Sequence, residues 1–130
     1  MNIQNPFIFA FFLVSLALSS LAGNASEQSL RVATFNVSIE ATNYLSRKEI
    51  AYDPSRSKIV KDLLDDGDHS QIKNIAEIIQ RTRPDVVLLN EFDYIADPKQ
   101  GIELFIKNYL NVSQNEQPSI DYPYHYIAPV

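Results

Sequence analysis

The chain has 130 residues, 45% hydrophobic and 21% charged, which is the composition of one ordinary globular domain and excludes a disordered or collagenous chain. It has no cysteine, so a disulfide framework, a thiolate zinc site and a cysteine nucleophile are excluded, and any metal must be held by oxygen or imidazole. Sixteen acidic against eleven basic residues give a formal charge of -5, which argues against electrostatic wrapping of nucleic acid but not against a phosphoester met at a cation-bearing cleft.

Phe7 to Leu18 form a 12-residue apolar block, followed by the small residues Ser19, Ser20, Ala22, Gly23 and Ala25. The block is shorter than the ~20 residues a spanning helix needs, and the layout is that of a secretory signal peptide. Residues 1–25 are therefore expected to be a leader cleaved between Ala22 and Ser26, and the protein to be secreted or periplasmic with no stable membrane span. The first six residues depart from the usual pattern, since they hold neither Lys nor Arg. Residues 26–130 are expected to form the folded part.

Leu30 to Val37 is rich in β-branched and aromatic residues and predicts a strand, with Val32, Thr34 and Asn36 on one face. Residues 39 to 69 show no clean period and predict a long connection, with one or two helical turns around Ser57 to Leu64. Ser70 is placed as the cap of an amphipathic helix, in which Ile72, Ile75, Ala76 and Ile79 recur at i, i+3, i+4 and i+7, and Pro84 ends it. Asp85 to Asn90 is a continuous apolar run without alternation, the mark of a strand covered on both faces. A second amphipathic helix is predicted over Gly101 to Leu110, then a polar loop from Asn111 to Ser119, then an edge strand from Tyr122 to Val130 with prolines at both ends.

Strand, helix and strand in this order form a parallel βαβ unit. Asn36 and Glu91 then fall together at the carboxyl ends of their strands, where open α/β sheets place ligands. Glu91 follows a run too apolar to leave a carboxylate unpaired at low cost, and a divalent cation would pair with it. The amide of Asn36 can donate to a phosphoryl oxygen without changing the charge of the site. His69 is read as a solvated loop residue, His125 as a strand residue able to line a cleft, and Asp65, Asp66 and Asp68 as a solvated turn lacking the Glu that closes a calcium loop. The three Asn-x-Ser sequons, at Asn24, Asn36 and Asn111, are short enough to arise by chance. With glycine only at positions 23, 67 and 101, no Walker loop or dinucleotide fingerprint can be written.

Taken together, Arg31-Val32-Ala33-Thr34-Phe35-Asn36 and Arg83-Pro84-Asp85-Val86-Val87-Leu88-Leu89-Asn90-Glu91 resemble the first two motifs of the endonuclease/exonuclease/phosphatase superfamily, the deoxyribonuclease-like metal-dependent phosphoesterases. The resemblance runs from Leu30 to Val130 and corresponds to the N-terminal half of that family's domain. It implies an α/β (α+β) fold, the first portion of a four-layer sandwich of two β-sheets flanked by helices, with a missing C-terminal half needed to complete it. It also implies Mg2+ or Mn2+ as cofactor, with Glu91 and Asn36 as catalytic and metal-site residues, and a phosphoester substrate, nucleic acid included. The general base, a His in that family, belongs to the later motifs, which include an Asp-x-Asn. The competing expectation is a non-catalytic secreted remnant or binding module with the same half-fold and an incomplete site.

Overall fold

β-Branched and aromatic residues in alternation build the first element of the computed structural model, which describes residues 29–46 and 56–129. The leader expected over residues 1–25 lies outside the described residues. Strand β1 spans Val32–Ile39, displaced two residues toward the C-terminus from the predicted bounds. Val37 and Ile39 point into the core, Phe35 is half-buried on the same side, and Val32, Thr34 and Asn36 are exposed on the other. A 3-10 turn, Ala41–Asn43, closes the strand.

Helix α1, Arg56–Asp66, stands where only a turn or two was expected. Val60 and Leu64, one turn apart, are fully buried and anchor it. Its last carbonyls are satisfied from outside, because Asn108 Nδ2 donates to the carbonyls of Leu64 at 2.9 Å and Asp65 at 3.2 Å. Gly67, with φ of 72°, makes the turn that follows.

Helix α2, Ser70–Thr82, buries Ile72, Ile75, Ala76 and Ile79 as the spacing predicts. Its N-cap is His69 and not Ser70, which is already helical. Arg83 closes the helix in the left-handed region at φ 47°, its N–H donating to the Ile79 carbonyl at 2.8 Å, and Pro84 prevents continuation. Strand β2, Val86–Phe92, then runs parallel to β1, pairing Val32 with Val86 and Asn36 with Asn90. After a 3-10 turn at Pro98–Gln100 capped by Asp97, helix α3 occupies Ile102–Phe105 and widens into a π-turn over Ile106–Leu110, in place of one regular helix from Gly101.

The result is a mixed α/β arrangement with, among the described residues, a two-stranded parallel sheet. Its core lies between one sheet face and the helices, with Phe105, Tyr109, Ile72 and Ile79 at its centre. Among the described residues, no helix is long and apolar enough to cross a membrane.

Two expectations are corrected. Strand β2 is covered on one face only: Val86 and Leu88 are 51% and 61% exposed, beside Val32 at 68%, because no second layer of described residues packs there. Residues 122–129 form no strand. The segment is held at its start, where Tyr122 OH donates to the Pro84 carbonyl at 2.7 Å and Ile120 N–H to the Leu110 carbonyl at 2.9 Å. Pro123 then withdraws a donor from any ladder with β2. The segment and β2 line a cleft of about 1260 Å³.

Candidate functional site

The site is built where the two parallel strands lose register. Pairing is regular as far as Asn36 and Asn90 and resumes at Ile39 and Phe92, with a bulge between. At the bulge, Ser38 and Glu91 both take up left-handed backbone, φ 49° and 54°. A residue with a side chain in that region is strained by about 1–3 kcal/mol, and such strain persists only where the surroundings impose it. Here the carbonyl of Ser38 is fixed from two sides, accepting from Asn43 Nδ2 at 2.9 Å and from Gln71 Nε2 of α2 at 3.4 Å. Beyond the bulge, Asp93 N–H donates to the Ile39 carbonyl at 2.9 Å, and Asp93 Oδ2 accepts from Ala41 N–H at 3.0 Å.

These constraints bring three side chains together. Asn36 Oδ1 accepts from the Ser38 N–H at 3.1 Å and lies 3.1 Å from Ser38 Oγ. The same Oγ lies 3.2 Å from Glu91 Oε2. Asn36 and Glu91, expected to meet at one end of the sheet, are thus joined through Ser38. Asn36 sits inside β1 rather than at its end, and both it and Glu91 are exposed. One residue further back on the open face, Asn90 Nδ2 donates to Thr34 Oγ1 at 2.8 Å.

Ser38 is a candidate site residue that the two motifs by themselves do not mark. A signal was present: in a strand, residues two apart share a face, so a polar residue two after Asn36 belongs beside it. The same pair also bounds the sequon Asn36-Val37-Ser38.

Both histidines stand elsewhere. The ring of His69 is half-buried against Tyr44, edge to face at 5.2 Å between centroids, so it is not the solvated loop residue expected. Among the described residues, His69 Nδ1 and Tyr44 OH are both buried without a hydrogen-bond partner. The Tyr44 phenol is pushed above its ordinary value by burial, with Tyr109 and Asp93 adding to the effect. His125, expected in a strand, lies in the irregular C-terminal segment with Nε2 3.8 Å from Glu103 Oε1, and it lines the cleft beside β2. Neither Asn36, Ser38 nor Glu91 lines that cleft. Of the acidic cluster, Asp65 and Asp66 close α1 and Asp68 pairs with Lys73 at 3.0 Å, all exposed as a solvated group should be.

Among the described residues, no three His, Asp or Glu side chains gather as a metal-holding group. A cation at the strand ends would instead rest on one carboxylate with neutral oxygens. That donor set, carboxylate, amide oxygen and hydroxyl on an exposed edge, fits a hard divalent ion that keeps several of its waters. Comparison with protein-family models, curated proteins and solved structures finds no match to this chain.

Proposed function

We propose that the chain carries the cation-binding half of a metal-dependent phosphoesterase site, in the N-terminal portion of a four-layer sandwich like that of the deoxyribonuclease-like enzymes. The observation that carries this reading is the bulge that holds Asn36 and Glu91 within one hydrogen-bonded group at the carboxyl edge of a parallel strand pair. Glu91 would hold Mg2+ or Mn2+, with the amide oxygen of Asn36 beside it. When bound, the cation supplies charge stabilisation to the phosphoryl and leaving oxygens as water displaces the leaving group in line.

The chain's own contribution is positional. Asn36 has a carbonyl oxygen fixed by the Ser38 N–H, which leaves its amide NH2 to donate to a non-bridging phosphate oxygen. The strained backbone at Glu91 fixes where the carboxylate stands before substrate arrives, so little reorganisation is needed on binding. We assign the general base to neither histidine, since His69 faces Tyr44 and His125 faces Glu103.

In the full-length protein, Glu91→Gln should abolish Mg2+- or Mn2+-dependent hydrolysis of bis(p-nitrophenyl) phosphate while leaving the far-ultraviolet circular dichroism spectrum unchanged. Turnover equal to wild type would defeat the proposal. A second reading is favoured by one observation, the open apolar sheet face at Val32, Val86 and Leu88: a non-catalytic secreted module that uses the face for association. Cation-independent self-association with no turnover on any phosphoester would select it.

A further inference from the structure

We infer that Ser38 is a third oxygen ligand of the cation, an inference that rests on the phosphoesterase reading of Glu91 and Asn36. The first argument counts protons. Ser38 Oγ is within hydrogen-bond distance of two acceptors, Asn36 Oδ1 at 3.1 Å and Glu91 Oε2 at 3.2 Å, but a hydroxyl has one proton. The stronger acceptor is the carboxylate, where the bond is charge-assisted, so the proton goes to Glu91 Oε2. The close approach of Ser38 Oγ to Asn36 Oδ1 is then a contact of two oxygens with no hydrogen between them. Such a contact is repulsive in isolation and is relieved by a positive charge that both oxygens face.

The second argument is spacing. Magnesium takes oxygens in an octahedron at about 2.0–2.1 Å, which sets neighbouring ligand oxygens about 3 Å apart. The separation left without a hydrogen, Ser38 Oγ to Asn36 Oδ1 at 3.1 Å, is close to that edge length. The third argument is the backbone. Ser38 is held in left-handed geometry at φ 49°, where Gly, Asn or Asp would be at ease, and its carbonyl is fixed by Asn43 and Gln71. If only the turn mattered, a side chain without a hydroxyl would serve as well.

The experiment is a Mn2+ titration of the full chain, followed by water-proton relaxation, on wild type, Glu91→Gln, Ser38→Gly and Ser38→Asp, with a thermal melt of each. Ser38→Gly removes the hydroxyl and relaxes the backbone. It should weaken Mn2+ binding about tenfold or more with an unchanged or higher melting temperature. Ser38→Asp adds a carboxylate to the donor set at a position where Asp tolerates the backbone, and should tighten binding. Wild-type affinity in Ser38→Gly, together with weakened binding in Glu91→Gln, would overturn the role of Ser38 and leave the reading of Glu91 standing. Equal binding in wild type and Glu91→Gln would overturn both. Should Ser38→Gly fail to fold, Ser38→Asp decides: tighter binding supports the assignment, and weaker or unchanged binding overturns it.

Discussion

Replacing Glu91 by glycine should separate what this residue does for the fold from what it does for the site. Its φ of 54° places a side-chain-bearing residue in left-handed backbone, which glycine occupies without steric penalty and which strains other residues by about 1–2 kcal/mol. Against that gain stand the extra chain entropy of glycine, about 0.5–1 kcal/mol, and loss of the exposed bond to Ser38 Oγ, about 0.5–1.5 kcal/mol. Glu91→Gly should therefore match wild-type stability to within about 1 kcal/mol. Glu91→Ala keeps the strain and loses the same bond, so it should be the less stable of the two variants by about 0.5–1 kcal/mol. In a domain of this size that difference is a melting-temperature gap of roughly 2–8 °C. Both variants should lose Mn2+ binding and, in the full-length protein, Mn2+-dependent phosphoester hydrolysis. Parallel thermal melts and Mn2+ titrations check this. An alanine variant that melts at or above the glycine variant would refute the strain argument, and retained cation binding in both would refute the assignment of Glu91.

Gln80 is 1% exposed, and its amide joins α2 to the end of the π-turn, donating to the carbonyls of Leu110 at 2.9 Å and Val112 at 2.7 Å and accepting from the Gln114 N–H at 3.0 Å. Gln80→Leu leaves the Gln114 donor and the Val112 acceptor without this partner, so urea denaturation should show a loss of about 2–4 kcal/mol; an unchanged midpoint would rule the network out as a source of stability. Tyr44→Phe removes a buried hydroxyl that has no hydrogen-bond partner among the described residues, and should raise stability by up to about 1 kcal/mol in the same assay, where a loss would contradict the burial. Burial pushes the phenols of Tyr44, Tyr109 and Tyr122 above 10.0, so the folded chain holds these protons more tightly than the unfolded chain. The stability they contribute is complete below pH 10 and is lost as pH rises through the folded values; between about pH 9 and 12 the urea midpoint should fall as tyrosinate absorbance rises, and a flat midpoint would refute the shifts.

What could be read in advance was set locally. Helix α2 needs only its own spacing, since Ile72, Ile75, Ala76 and Ile79 mark the buried stripe and Pro84 the stop. The meeting of Asn36 and Glu91 follows from one further step, because a helical crossover between parallel strands brings their carboxyl ends side by side. Helix α1 is expected only as a turn or two because, among the described side chains, Val60 and Leu64 are the fully buried ones, too narrow a stripe to show a period, and because its C-terminal carbonyls are capped by Asn108 from a distant segment.

The larger errors share a cause: a strand's side chains record that a layer covers it, but not which layer. Val86 and Leu88 are apolar as if buried, yet the described residues cover only the opposite face of β2. Tyr124 and Tyr126 have strand-forming side chains, yet a strand exists only where a neighbour's backbone accepts it, and both rings stand exposed beside the cleft. Ser38 belongs to the same class of problem at the scale of one residue. Period two puts it on the face of Asn36, but its contact with Glu91 depends on a register slip shared by two strands 53 residues apart in sequence. The proposed site therefore rests less on its motifs than on the defect between them, and substitutions that restore regular pairing there should disperse the oxygens of Asn36, Ser38 and Glu91 even with Asn36 and Glu91 intact.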